Sequence, residues 1–129
     1  MRDLAEKICT LEELEKLKEY WVEKLRLQEW RITLRLKPAH EFGNNDGQTM
    51  ISDSRAGAII TLRTPDSITD VDDGLPYNME QVLVHELLHV YTRDSETEDN
   101  ELKAWRSYHR RLDNLATLLV ELKTQEEAS

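Results

Sequence analysis

The stretch from Val82 to Val90 is the segment that most limits how this chain can fold: Val82, Leu83, Val84, Leu87, Leu88 and Val90 surround His85, Glu86 and His89. Apolar residues fall on every side of a helix drawn through it, which predicts a helix buried all round rather than an amphipathic surface helix. Ionisable side chains inside such a helix are costly unless they have partners. His85 and His89 are four residues apart, so on a helix they stack on one face, and a single metal ion within reach of both imidazoles satisfies the pair. Glu86 then sits beside that ion, where the HExxH pattern places a general base. The bland alternative is two hydrogen-bonded core histidines beside a salt-bridged glutamate; the apolar surroundings favour the metal.

The neighbouring segments supply a scaffold. Asn78, three residues before Gln81, can cap the start of the buried helix. Upstream, Leu11, Leu14, Leu17, Tyr20 or Trp21, and Leu25 recur every three or four positions, the period of a helix with one apolar face. Thr10 with Glu13 matches a capping box at its start. Trp30, Ile32, Leu34 and Leu36 then alternate with Arg31, Thr33 and Arg35, which predicts a strand ended by Pro38. Residues 43–47 carry turn chemistry, 48–52 form a short candidate strand, and 56–63 a second clear one. Residues 64–77 hold two prolines, Gly74 and four aspartates, the composition of a surface loop. A last helix is expected from near Ser95 or Thr97, with Leu102, Trp105, Leu112, Ala116 and Leu119 on one face and a polar tail over 123–129. The fold class is therefore α+β: a leading helix, a small, mostly antiparallel sheet, a buried helix and a closing helix.

At 129 residues the chain has the size of one domain, 1–129. Twenty-six acidic against 17 basic residues give a formal charge of −9, which repels phosphate backbones and anionic lipid, so no direct nucleic-acid or membrane partner is expected. Cys9 is the only cysteine, which excludes an intramolecular disulfide and a four-cysteine zinc site and suits a reducing compartment. The N-terminus carries no apolar signal segment and the chain no membrane-length apolar run, so a soluble, cytoplasmic protein is expected.

A catalytic zinc needs a third protein ligand and one open position. His109 falls within the apolar stripe of the last helix, with Asp113 four residues later on the same side. A buried histidine there is also explained as an ordinary core residue. Glu98 and Glu101 compete with it, although Glu98 is accounted for as the capping-box partner of Ser95 and Glu101 as a solvated residue at the edge of the stripe. The metzincin arrangement is absent, since Thr92 and Ser95 stand where its glycine and third histidine belong.

With HExxH at 85–89, a gap of nineteen residues to His109, and Asp113 four positions beyond, the chain resembles the zincin metallopeptidases, and in spacing their thermolysin-like branch. That branch has a glutamate ligand where His109 stands and an aspartate, matched by Asp113, that orients a ligand histidine. The order of elements is similar over most of the chain to compact zincin-type metallopeptidases of bacteria and their phages. SprT-like proteases, which also use three histidines, are a more distant likeness. At residue level the resemblance covers 80–91 and 105–120. It implies a zinc-dependent peptidase acting on a peptide or protein, with Zn2+ on His85, His89 and His109, Glu86 as general base, and Asp113 supporting a ligand. It also implies that an extended substrate pairs with the strand at 56–63 as a sheet edge. Tyr77, Tyr91, Tyr108, Arg93 and Arg106 are the candidates for stabilising an oxyanion. His40, in a polar turn, has no assigned role. Two alternatives stand beside this expectation: a zinc-braced interaction module without turnover, and a SprT-like protease brought to DNA-associated proteins by a partner.

Overall fold

Capping chemistry sets where two of the three helices begin. Thr10 accepts the Glu13 backbone N–H and Glu13 reaches back to the Thr10 N–H, a complete capping box ahead of α1 (Leu11–Lys24). Asn78 accepts the Gln81 N–H at the start of α2 (Met79–Tyr91). The structure, a computed structural model, describes residues 5–41, 46–65, 77–92 and 102–128, the side chains of 39 and 102–106 excepted. The expected start of the last helix near Ser95 or Thr97, most of the loop over 64–77, Glu98 and Glu101 lie outside them, as do the side chains of Leu102 and Trp105.

Three strands follow the expected alternation: β1 (Arg31–Lys37), β2 (Gly47–Ser52) and β3 (Gly57–Arg63). They join in the order β1-β3-β2, with β1 parallel and β2 antiparallel to β3, so the domain is α+β as expected, with a mixed sheet rather than a mostly antiparallel one. The reason is topological: β2 and β3 form a hairpin through Asp53–Arg55 and Ala56, which takes a left-handed φ of 47°. β1 pairs on the other side of β3, parallel to it.

The register decides which side chains meet the helices. Ala58, Ile60 and Leu62 of β3 are buried, and their partners across the ladders are Ile32, Leu34 and Leu36 of β1 and Ile51, Thr49 and Gly47 of β2. Cross-strand partners share a face, so Gly47, Thr49 and Ile51 point to the helical side. α2 packs on β2 and β3, between α1 and α3 (Leu102–Ala128). Every residue of α2 from Val82 to Val90 is buried except His85, which is half-buried. α3 buries Leu112, Ala116 and Val120 and stays helical through Ala128, so the polar tail expected over 123–129 is instead the last turns of a helix. Glu, Gln, Lys and Ala are good helix formers, and a polar surface helix needs no further apolar residues.

A buried ionic knot ties the helices together at the start of α2. Glu80 is 2% exposed. Its carboxylate accepts hydrogen bonds from Lys7 (2.7 Å), Lys123 (2.7 Å) and the Trp21 indole (2.7 Å). Burial alone would raise its pKa, but these three donors outweigh burial and hold it below the usual carboxylate value. The N-terminal segment is docked at the same place, with Lys7 N–H bonded to the Tyr77 carbonyl and Met79 N–H to the Lys7 carbonyl. No helix among the described residues is long and apolar enough to cross a membrane.

Candidate metal centre

Spacing of four along α2 stacks His85 and His89, whose ring centroids lie 5.0 Å apart. α3 crosses this face and adds His109, centred 4.7 Å from His89 and 5.9 Å from His85. One ligand nitrogen from each of the three lies within 4.8 Å of the others. That convergence would let the three imidazoles share one metal ion. α2 and α3 are fastened beside the cluster. Thr92 donates its hydroxyl hydrogen to the Leu88 carbonyl (2.7 Å), so the Tyr108 hydroxyl, 2.6 Å away, donates to the Thr92 oxygen. The Tyr108 ring lies against both His89 and His109.

The protonation of the three rings follows from their surroundings. Burial, helped by the charges of His85 and His109, pushes the His89 pKa down to about 3. Burial and His85 lower that of His109. Both imidazoles are thus neutral near pH 7 and offer lone pairs, as metal ligation requires. His85 differs: burial opposes its charge, but the hydrogen bond with Asp113 and the charges of Glu86, Asp113 and Asp46 outweigh burial and raise its pKa. The contact runs from Nδ1 to Asp113 Oδ1 at 3.2 Å, and Gln81 Nε2 donates to the same oxygen at 2.7 Å. With Nδ1 occupied by Asp113, the Nε2 of His85 is the nitrogen left for a metal. Asp113 is itself held below its ordinary value, by the His85 bond first and the Gln81 bond after it, against an opposing contribution from burial.

Glu86 lies on the side of α2 that meets the sheet and is 7% exposed. Its Oε1 accepts a 2.6 Å hydrogen bond from Thr49 Oγ1, across thirty-seven residues of sequence. Gly47 leaves the room: a Cβ there would come within 2.8 Å of Val82 Cγ1, 3.1 Å of Glu86 Oε2 and 3.2 Å of Glu86 Cγ. The three histidines, Glu86, Thr49 and Asp113 all line one open cavity of about 380 Å³. That volume suits a small molecule or a few residues of an extended chain.

The structure thus brings together all five residues singled out from the sequence: His85, Glu86, His89, His109 and Asp113. It corrects the expected docking strand. β3 is the central strand, paired on both sides, so its ladder has no edge to offer; among the described residues the sheet edge beside the cavity belongs to β2. Among the oxyanion candidates, Tyr77 is buried with its hydroxyl donated to the Asp46 carbonyl (2.6 Å), and Tyr91 is exposed outside the cavity lining. Tyr108 is bonded to Thr92 as above. Arg93 and the Arg106 side chain lie outside the described residues. His40 is exposed in a short 3-10 turn. Thr49, Gly47 and Gln81 line the cavity but carry no site signal in the sequence, where Gln81 reads as a helix-cap position and Gly47 as part of a turn. The one available signal was the alternation Gly47, Thr49, Ile51, which marks one face of a strand without saying what that face meets.

Compared with models of known protein families, with curated proteins and with solved structures, the chain matches none.

Proposed function

We propose that this protein is a zinc-dependent peptidase of the zincin type, with His85, His89 and His109 as ligands and Glu86 as general base. The observation that carries this reading is the convergence of three imidazole nitrogens, neutral at two of the three positions, with a buried carboxylate in the wall of the same cavity. Three imidazole donors with room for a fourth ligand match the donor set of a catalytic rather than a closed structural zinc site.

Zinc held there would acidify a water molecule to a pKa of about 7 and polarise a peptide carbonyl. Glu86 accepts the proton of the attacking water on its carboxylate and returns it to the departing amine nitrogen. Asp113 fixes the His85 ring through Nδ1 and makes the opposite nitrogen more basic. The outer edge of β2 gives an extended substrate backbone groups to pair with beside Glu86. The net charge of −9 makes direct docking on nucleic acid a poor match for this chain, so the substrate proposed is a free peptide or protein.

Two variants test the reading. Glu86→Gln is expected to lower peptide cleavage about 10²–10⁴-fold while zinc analysis still finds one ion per chain. His109→Ala is expected to lose that ion. Cleavage unchanged in Glu86→Gln would reduce the site to a zinc brace for an interaction module, and a full zinc complement in His109→Ala would return the third-ligand role to Glu98 or Glu101.

A further inference from the structure

We infer that Thr49 is a positioning residue for Glu86, holding the carboxylate in the orientation that proton transfer needs; this rests on the peptidase reading above. The geometry is specific. Thr49 lies on the helical face of β2, opposite the buried Ile60, and its hydroxyl is 2.6 Å from Glu86 Oε1. That length is typical of a hydroxyl donating to an ionised carboxylate, a bond about twice as strong as one between neutral groups. The other oxygen, Oε2, lies over Gly47, two residues back on the same face, where a Cβ would crowd it at 3.1 Å and press on Val82 Cγ1 at 2.8 Å. One oxygen is therefore tethered and the other is accommodated by the missing Cβ.

A glutamate side chain has three rotatable bonds, and an untethered one divides its time among rotamers that face the metal and rotamers that do not. Its carboxylate offers about four lone-pair sites, so the bond from Thr49 to Oε1 constrains the direction of the group without using all of its acceptor capacity. The tether comes from the strand that also supplies the sheet edge beside the cavity. A substrate pairing along β2 would therefore be set in register with the base by one rigid element, which is how binding becomes orientation.

The test uses Thr49→Val, which keeps the shape and removes the hydroxyl, and Thr49→Ser, which keeps the hydroxyl. In zinc-loaded protein, Thr49→Val is expected to lower kcat about 10- to 100-fold with KM within about twofold and zinc content unchanged; Thr49→Ser should recover most of kcat. A second measurement needs no turnover. In metal-free protein, Thr49→Val should lower the thermal midpoint by several degrees, and the same substitution on a Glu86→Ala background should lower it far less. Equal shifts on both backgrounds, or a Thr49→Val enzyme with wild-type kcat, would overturn the assignment. Coupling in the thermal cycle with a zinc-loaded wild type that cleaves no peptide would overturn the peptidase reading instead, and with it the positioning role, leaving Thr49 a brace between β2 and α2.

Discussion

Glu80 and Glu86 are the same residue on the same helix, both buried, and the chain uses them in opposite ways. Six positions apart, they project about 120° from each other around α2, Glu80 toward α1 and the far end of α3, Glu86 toward β2. Glu80 is met by two ammonium groups and an indole N–H, a set of donors that offsets the cost of removing it from water. Glu86 is held by a neutral hydroxyl and shares its cavity with three imidazoles. A carboxylate saturated by cations has little left to do beyond holding helices together. One bonded to a hydroxyl in the wall of an open cavity is, on the proposed reading, placed to accept a proton. The partners, rather than the burial, distinguish the two glutamates.

The largest effects should come from exchanging those partners. Glu80→Ala leaves Lys123, whose side chain is only 10% exposed, with only the longer ion pair to Glu127 (3.4 Å) to offset its burial, and frees the more exposed Lys7. It should destabilise the fold by about 3 kcal/mol in urea denaturation, the lower end of the range for breaking a buried pair. Glu86→Gln should change stability by less than about 1 kcal/mol, because the amide oxygen can still accept from Thr49. If the two variants were equally destabilised, the contrast between the glutamates would fail.

A smaller effect is expected at Asp113. Asp113→Ala, which removes the acceptor for His85 Nδ1, should weaken zinc binding about 10- to 100-fold in a chelator competition while leaving the urea midpoint nearly unchanged. The reverse pattern would make Asp113 a partner of fold stability, like Lys7 and Lys123, rather than of the metal.

The smallest effect is one of pH. The folded Glu80 pKa lies below its unfolded value of about 4.3. Its contribution is therefore fully present above the unfolded pKa and is lost as pH falls through the folded one. Urea midpoints of the wild type should drop between about pH 5 and 3 more steeply than those of Glu80→Gln, and parallel profiles would remove Glu80 from the acid sensitivity.

What could be foreseen from the sequence follows the range of the interactions involved. The capping box at Thr10 and Glu13, the alternation of β1 and the stacking of His85 on His89 each depend on residues within four positions, and each stands in the structure as expected. His109 is more distant, but helical spacing puts it on the inner face of α3 with Asp113, and the resemblance to zincins singled out that pair. The parallel pairing of β1 with β3 and the place of β2 at the edge were not legible, because strand order depends on which elements meet and not on the pattern within any one of them. Thr49 escaped notice for the same reason: a threonine on a strand is unremarkable until the helix it faces is known. Lys7, Trp21 and Lys123 look like ordinary residues on three separate segments, and only Glu80 makes them a group. The closing turns of α3 are helical although their composition is polar, because Glu, Gln, Lys and Ala sustain a helix without an apolar face.

The third imidazole comes from a helix made after the other two. A growing chain that has just received His89 holds two of the three imidazoles on one segment, and twenty more residues must be added before His109 exists. At about 5–20 residues per second that interval is on the order of one to four seconds. On the proposed assignment, a metal ion would find all three nitrogens together only where α3 lies against α2, so loading would be coupled to the docking of those two helices.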